Sequence, residues 1–158
     1  MQEGNSILEI LQNVTIFAGV KNHDLESMCN RCEIISYPDQ EVFIKEGVGS
    51  EEIYIITKGK VKVVLDVEND PLELLELGVG HCIGEASVIG IQNHSASVVA
   101  EGEVELLVLS RRVLMDIYNE DLKLYSLIIL NVARELARRL RSSDRLLLRY
   151  KKRLEGKL

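Results

Sequence analysis

The sequence predicts a mainly β protein with flanking helices, in which the strands form a double-stranded β-helix, or jelly roll. Seven or eight short segments rich in β-branched residues lie between residues 32 and 110, and turn-forming residues separate them. Helical periodicity precedes these segments and returns after them. Because few of the segments exceed six residues, we expect a closed or two-sheet architecture rather than a long open sheet.

Length and composition predict a globular protein of one domain with an appendage. The chain has 158 residues, of which 46% are apolar and 28% charged, and this is enough to bury a sizeable core. Residues 1–11 lack the basic region and apolar block of a signal peptide. The most apolar window, residues 127–132, is too short to cross a bilayer. We therefore expect a cytoplasmic protein without membrane contact.

Charge is distributed unevenly along the chain. Residues 131–158 contain ten Lys or Arg against three Asp or Glu, whereas residues 1–130 carry a net charge of −13. A basic tail on an acidic body is compatible with a nucleic-acid or membrane contact. We favour a solvated face of a long helix that is also attracted to the acidic body.

Two short helices are expected before the strands. Residues 5–12 form an amphipathic pattern, residues 16–20 an apolar turn, and residues 24–31 a second helix that Asn22 or Asp24 caps. This second helix contains a lone CxxC, Cys29–Cys32. Structural zinc sites commonly use two such pairs, so ordinary thiols are favoured and redox sensing is the minor alternative.

The strands and turns follow in order. The strand segments are residues 32–37, 41–45, 52–56, 60–65, 72–77, 97–101 and 104–110. Turns between them are expected at Pro38-Asp39, 47–50, Lys58-Gly59, 68–71 and Glu101-Gly102.

After the strands, Ser110 caps a helix that runs to Tyr118, Asp121 begins another short helix, and one long helix starts at Tyr125. The long helix has no Pro or Gly before Gly156. We therefore divide the chain into a β-roll domain with short flanking helices, residues 1–124, and a long C-terminal dimerisation helix, residues 125–158.

The long helix carries two apolar seams with a seven-residue repeat. The first seam consists of Ala133, Leu140, Leu147 and Leu154, and its companion of Ile129, Leu136, Ser143 and Tyr150. About four such heptads are enough for a dimeric coiled coil. The alternative is that the stripe packs on the chain's own barrel, but the part beyond Arg141 extends too far for a small barrel to cover. We expect a homodimer.

A glycine-rich stretch, residues 78–97, is the candidate ligand site. Gly84-Glu85-Ala86-Ser87 predicts a turn that opens a short helix, and free backbone N–H groups at a helix start suit phosphate. Hydroxyl donors follow at Ser95 and Ser97, and His94 adds a charged donor if it is protonated.

Four stretches of the chain resemble a cyclic nucleotide-binding domain, and the wider likeness is to the bacterial catabolite-activator regulators. Residues 17–20 with Leu25 resemble the helical entry, and residues 46–61 resemble the glycine-punctuated hairpin. Residues 77–85 resemble the phosphate-binding cassette, and residues 137–140 the start of the dimerisation helix.

The resemblance implies a set of ligand-binding residues. The set is Gly84, Glu85, Ala86, Ser87, His94, Ser95, Ala96 and, on the long helix, Ser143. In members that bind cAMP or cGMP, the glutamate holds the ribose 2′-hydroxyl and an arginine neutralises the cyclic phosphate. His94 occupies the position of that arginine.

This substitution predicts altered ligand binding. Histidine has a pKa near ~6.5 and a shorter reach than the always-charged arginine. Losing a bidentate phosphate contact costs on the order of 2–3 kcal/mol, about a hundredfold in affinity. We also expect Glu85 to have no cationic neighbour. The pocket therefore binds a cyclic nucleotide weakly, binds another anionic small molecule, or binds nothing.

Together these observations predict a non-enzymatic regulatory module without a cofactor. No nucleophile–base constellation is visible, and the chain leaves no room for a helix-turn-helix after the long helix, so direct DNA binding is not expected. One alternative is a ligand-free dimerisation domain that docks onto a protein partner through its basic helix. The other is a cupin-like metal enzyme that uses His81, Glu85 and His94.

Overall fold

The computed structural model describes residues 2–156. The chain begins with α1 (Gln2–Asn13), a short 3₁₀ helix (Thr15–Phe17) and α2 (Asn22–Cys29), so both predicted N-terminal helices are confirmed. Lys21, rather than Asn22 or Asp24, occupies the N-cap position of α2. Leu25 and Met28 of α2 are buried in the core.

Six strands follow. They are β1 (Glu33–Tyr37), β2 (Val42–Ile44), β3 (Glu52–Leu65), β4 (Leu72–Gly78), β5 (Cys82–Ile83) and β6 (Ser97–Ser110). The short helix α3 (Glu85–Gly90) lies between β5 and β6.

Two of these strands contain 14 residues each, so the expectation of seven or eight mostly short strands was wrong. Gly59 and Gly102 have the positive φ angles expected of turn residues, +82° and +72°. They lie at irregularities inside β3 and β6, however, and not at chain reversals. Opposite the step from Lys58 to Lys60, β6 advances from Glu105 to Glu101. A bulge of this kind bends a strand without ending it.

The strands form one antiparallel sheet with a jelly-roll-like arrangement. Its order is β1-β6-β3-β4, with β2 also paired to β6 and β5 to β3. The two halves of β6 have different partners, since residues 104–108 pair with β1 and residues 98–99 with β2. The predicted jelly roll with flanking helices is therefore confirmed.

Alternate residues of the long strands face two separate hydrophobic clusters, as the pleat of a strand requires. Ile53 and Ile55 of β3 pack against the flanking helices in one cluster. Ile56 and Val61 belong to the second cluster, between the strands of the roll. The helices therefore cover one face of the sheet. The opposite face packs against other strands of the same sheet, inside the roll.

Two C-terminal helices complete the fold, α4 (Arg111–Glu120) and α5 (Leu122–Leu154). The predicted cap of α4 is confirmed, since the Ser110 hydroxyl accepts a hydrogen bond from the Val113 N–H. The Asp121 carboxylate accepts hydrogen bonds from the N–H groups of Lys123 and Leu124, both 3.0 Å long. Asp121 therefore caps α5 itself, and the long helix begins at Leu122 without a separate short helix before it.

Only the first half of α5 packs on the roll. Ile128 and Val132 are buried in the cluster beneath the helices. Farther along, the side chains of Leu140, Leu147 and Leu154 are 65%, 68% and 89% exposed. Among the described residues, no helix combines the length and the apolarity needed to cross a membrane. The division of the chain at residue 124 stays a prediction.

Candidate ligand-binding site

The segment of residues 84–97, which we call the cassette, begins at a turn that requires glycine. Gly84 is the N-cap of α3 and has a φ of +89°. A Cβ at this position would lie 2.6 Å from the backbone oxygen of Glu52, which is closer than van der Waals contact allows. Gly84 therefore lets α3 pack directly on the start of β3.

Glu85, the first residue of α3, is a buried carboxylate with one paired and one unpaired oxygen. Its side chain is 1% exposed. Oε1 accepts a hydrogen bond from Nη1 of Arg139 on α5, whereas Oε2 has no hydrogen-bond partner among the described residues. Burial raises the pKa of Glu85, and the charge of Arg139 opposes that rise.

Arg139 contacts the cassette, the strand before it and a carboxylate on its own helix. Besides the ion pair with Glu85, its Nη2 donates to the carbonyl of Cys82 at 2.7 Å. Its Nε donates to Glu135 at 3.2 Å. The C-terminal helix therefore holds both the strand before the cassette and the first carboxylate within it.

The expectation that Glu85 has no cationic neighbour was wrong. Arg139 lies 54 residues away in the sequence, and only the packing of α5 against the roll brings the two charges together. A buried carboxylate needs a compensating cation. The Ala137–Leu140 motif contains that cation, but no local pattern connects it to Glu85.

His94 is buried, and its imidazole contacts an uncharged hydroxyl. Its Nδ1 lies 3.0 Å from the hydroxyl of Ser87 on α3, and its backbone N–H donates to the carbonyl of Val48. Burial lowers the pKa of His94 below its ordinary value of 6.5, so the imidazole is neutral at pH 7. His94 also lines a cavity of about 430 Å³, together with Lys45 and Tyr54.

The remaining predicted site residues differ in their burial and in their hydrogen-bond partners. Ala86 and Ser95 are exposed and Ala96 is half-buried. The hydroxyl of Ser97 accepts a hydrogen bond from the backbone N–H of Glu46. Ser143 is exposed, and its hydroxyl donates to the Arg139 carbonyl of the same helix. A contact between Ser143 and a ligand therefore stays a prediction.

The structure does not bring the proposed metal ligands together. His81 is exposed, and its Nδ1 lies 3.1 Å from the carbonyl oxygen of Gly78, whereas His94 contacts Ser87. Within residues 2–156, no group of three His, Cys, Asp or Glu side chains is arranged to hold a metal ion. The cupin-like alternative therefore gains no support from the geometry.

The three cysteines are free thiols. Helix α2 ends at Cys29, so Cys32 lies in the turn after the helix and not within it as expected. Burial raises the pKa of Cys32 to about 12, and that of Cys82 also to about 12. Because the thiolate is the reactive form, both groups are poor nucleophiles at pH 7.

Comparisons with known proteins agree on the domain type. The family model of the cyclic nucleotide-binding domain matches residues 34–121. The chain is 29% identical over 96 residues to the cAMP-dependent protein kinase type II regulatory subunit of Drosophila melanogaster, covering 61% of this chain and 26% of that protein. It is 28% identical over 130 residues to the cyclic AMP receptor protein of Thermus thermophilus, covering 82% and 58%. The chain therefore spans less than two thirds of these relatives.

Solved structures share the fold along most of the chain. A cyclic nucleotide-binding domain from Methylobacillus flagellatus superposes with a TM-score of 0.82 at 27% identity, covering 94% of this chain and 84% of that one. The catabolite activator protein of Thermus thermophilus gives a TM-score of 0.75 at 27% identity, covering 87% and 63%. The chain belongs to the cyclic nucleotide-binding domain family.

Proposed function

We propose that this chain is a cytoplasmic, non-enzymatic regulatory module whose cassette binds a cyclic nucleotide weakly, or another anionic small molecule in its place. The observation that carries the proposal is the state of Glu85. This carboxylate is buried at the start of α3, one oxygen is held by Arg139, and the other has no partner among the described residues. An unpaired buried acceptor is costly, and a ligand hydroxyl that donates to Oε2 removes that cost.

The altered cassette follows from His94. In relatives that bind cAMP or cGMP, the resemblance places an arginine here that neutralises the cyclic phosphate. In this chain the side chain is a buried imidazole with a lowered pKa, bonded to Ser87. A neutral imidazole offers a phosphate one hydrogen bond and no charge, so cyclic nucleotides bind about a hundredfold more weakly than to an arginine cassette.

Arg139 gives the module a means of transmitting the bound state. A ligand hydroxyl that donates a hydrogen bond to Glu85 alters the interaction between this carboxylate and Arg139, which lies on α5. Because the same guanidinium also bonds Cys82 and Glu135, any adjustment at Glu85 alters the contacts of the long helix. The ligand thereby shifts the balance between two arrangements of α5.

The direct test is calorimetry of the unmodified chain with cAMP, cGMP and cyclic dinucleotides, at one pH above 6.5 and one well below it. We expect tighter binding at the lower pH, because protonated His94 supplies the missing cation. Since burial lowers the pKa of His94, the gain appears below the ordinary value of about 6.5. Absence of binding heat for every ligand at both pH values would exclude this function.

The lowered pKa of His94 also makes the stability of the folded protein depend on pH. The calorimetry at the lower pH therefore needs a control for folding. A histidine whose pKa is lowered in the folded state binds fewer protons there than in the unfolded chain. Its contribution to the free energy of unfolding is therefore complete above about pH 6.5 and decreases as the pH falls through the folded-state pKa. Circular dichroism at the lower pH identifies conditions in which the protein is still folded.

A second candidate function is a ligand-free dimerisation and interaction domain. The neutral pair of His94 and Ser87 favours it, because each group already satisfies the other without a ligand. The two functions share the fold and the dimer and differ only in whether the cassette is used. They therefore give opposite results in the calorimetry and in the substitution of His94 argued in the Discussion.

Homodimerisation through α5 is part of the proposal. The seam residues Leu140, Leu147 and Leu154 are exposed in the single chain, whereas Leu136 of the companion seam packs partly on the chain's own core. A seam of exposed leucines at heptad spacing is stabilised by a second copy of the same helix.

Replacing Leu147 by glutamate is expected to convert the dimer to a monomer, because it places two like charges in the helix–helix contact. Leu148→Glu is the matched control, since Leu148 is also exposed but lies about 100° around the helix from the seam. Sedimentation equilibrium measures both. A dimer that persists in the Leu147 variant, or dissociates equally in both, contradicts the proposed seam.

A further inference from the structure

A groove outside the cassette lies between the N-terminal 3₁₀ segment and α5. Its volume is about 460 Å³, and it is lined by Thr15, Ala18, Asn131, Arg134, Ala137, Arg138 and Arg141. None of these residues belongs to the cassette or contacts Glu85. The groove is therefore separate from the proposed ligand site in the cassette.

Positive charge dominates the lining of the groove. Arg134, Arg138 and Arg141 follow one another at intervals of four and three residues, so they lie on one face of α5. Arg134 donates to the side-chain amide of Asn131 at 3.2 Å, which is a neutral partner. Arg141 is exposed, and its side chain makes no hydrogen bond or ion pair within the described part of the chain.

Glu135 offsets only part of this positive charge. Glu135 pairs with Arg138 at 2.8 Å and with Arg139 at 3.2 Å, and it also accepts a hydrogen bond from the Thr15 hydroxyl. One carboxylate thus serves two guanidinium groups. Among the described residues, Glu135 is the one carboxylate within ion-pair distance of these three arginines, and it pairs only with Arg138. Like charges at this spacing repel one another unless an anion joins them.

We propose that this groove is a second binding site, specific for a multiply charged phosphate chain such as a polyphosphate or the polyphosphate part of a nucleotide. Guanidinium groups match phosphate oxygens through parallel N–H donors, and three of them along the groove match several linked phosphates. Ala18 and Ala137 also line the groove, and their side chains are too small to fill it. The site goes beyond the proposed function, because it needs neither Glu85 nor His94.

The experiment titrates the full chain with inorganic tripolyphosphate in a calorimeter at constant ionic strength. We compare the unmodified protein with Arg134→Gln/Arg141→Gln. The matched control is Arg145→Gln/Arg149→Gln, which removes the same charge from exposed positions of the same helix outside the groove. We expect affinity to fall by about tenfold or more in the groove variant and by less than about twofold in the control.

Further arms separate the sources of binding. The single variant Arg141→Gln changes an exposed and unpaired residue, so it still tests the groove if the double variant fails to fold.

Equal affinity for ATP and tripolyphosphate supports recognition of the phosphate chain, whereas binding of ATP alone contradicts it. The cassette variant His94→Gln is expected to bind tripolyphosphate normally, and loss of binding in that variant overturns the separate site. No binding by the unmodified chain, or equal weakening in both double variants, also overturns the proposal.

Discussion

Replacing Arg139 by methionine is expected to lower the free energy of unfolding by about 2–3 kcal/mol, because it leaves the buried carboxylate of Glu85 without its cation. Removing one partner of a fully buried pair costs more than this. The side chain of Arg139 is 36% exposed, so solvent screens part of the interaction. Urea denaturation followed by circular dichroism measures the change.

The matched control for this substitution is Arg138→Met, which removes an equivalent charge from the preceding residue. Arg138 is more exposed and pairs with Glu135, not with Glu85, so we expect a loss below about 1 kcal/mol. The double variant Glu85→Gln/Arg139→Met is expected to recover most of the stability, since the uncompensated charge is gone. Equal losses in the two single variants, or no recovery in the double variant, would falsify the coupling between α5 and the cassette.

The loss in Arg139→Met also has a defined pH dependence. Burial raises the pKa of Glu85 above its ordinary value of 4.5, and removal of Arg139 raises it further. A carboxyl group with a raised pKa binds more protons in the folded state than in the unfolded chain. The destabilisation is therefore small below pH 4.5 and increases as the pH rises through the folded-state pKa, which denaturation at a series of pH values will measure.

Replacing His94 by arginine is expected to raise the affinity for cAMP or cGMP by about a hundredfold. The substitution supplies a permanent charge and a planar pair of donors at the position where the resemblance places the phosphate-binding arginine. The cavity of about 430 Å³ beside His94 provides room for the longer side chain. Calorimetry with each cyclic nucleotide measures the gain.

Ser95→Arg is the control for the added charge, because Ser95 is adjacent and exposed. We expect this variant to bind cyclic nucleotides no more than about threefold better than the unmodified chain, since a mobile surface charge adds little. In His94→Arg, the pH dependence attributed to the imidazole also disappears. An unchanged affinity in a correctly folded His94→Arg protein favours the ligand-free interaction domain.

The secondary structure was largely predictable from local patterns, and its exceptions have a local cause. Periodicity placed both N-terminal helices and every strand except the two-residue β5, because residue spacing determines which side chains share a face. The same patterns suggested turns at Gly59 and Gly102. A glycine with positive φ serves equally in a hairpin turn and in a bulge, and only the pairing of β3 with β6 along their whole length distinguishes the two.

The sequence by itself determined the order of elements, the glycine turn at Gly84 and the identity of the polar groups in the cassette. Only the tertiary structure decided whether the polar groups of the cassette are charged and what neutralises them. It brought Arg139 to Glu85 across 54 residues, and it buried His94 against Ser87 so that its pKa falls. Local spacing sets which backbone conformation forms, whereas the ionisation of a side chain depends on desolvation and on charges supplied by distant parts of the chain.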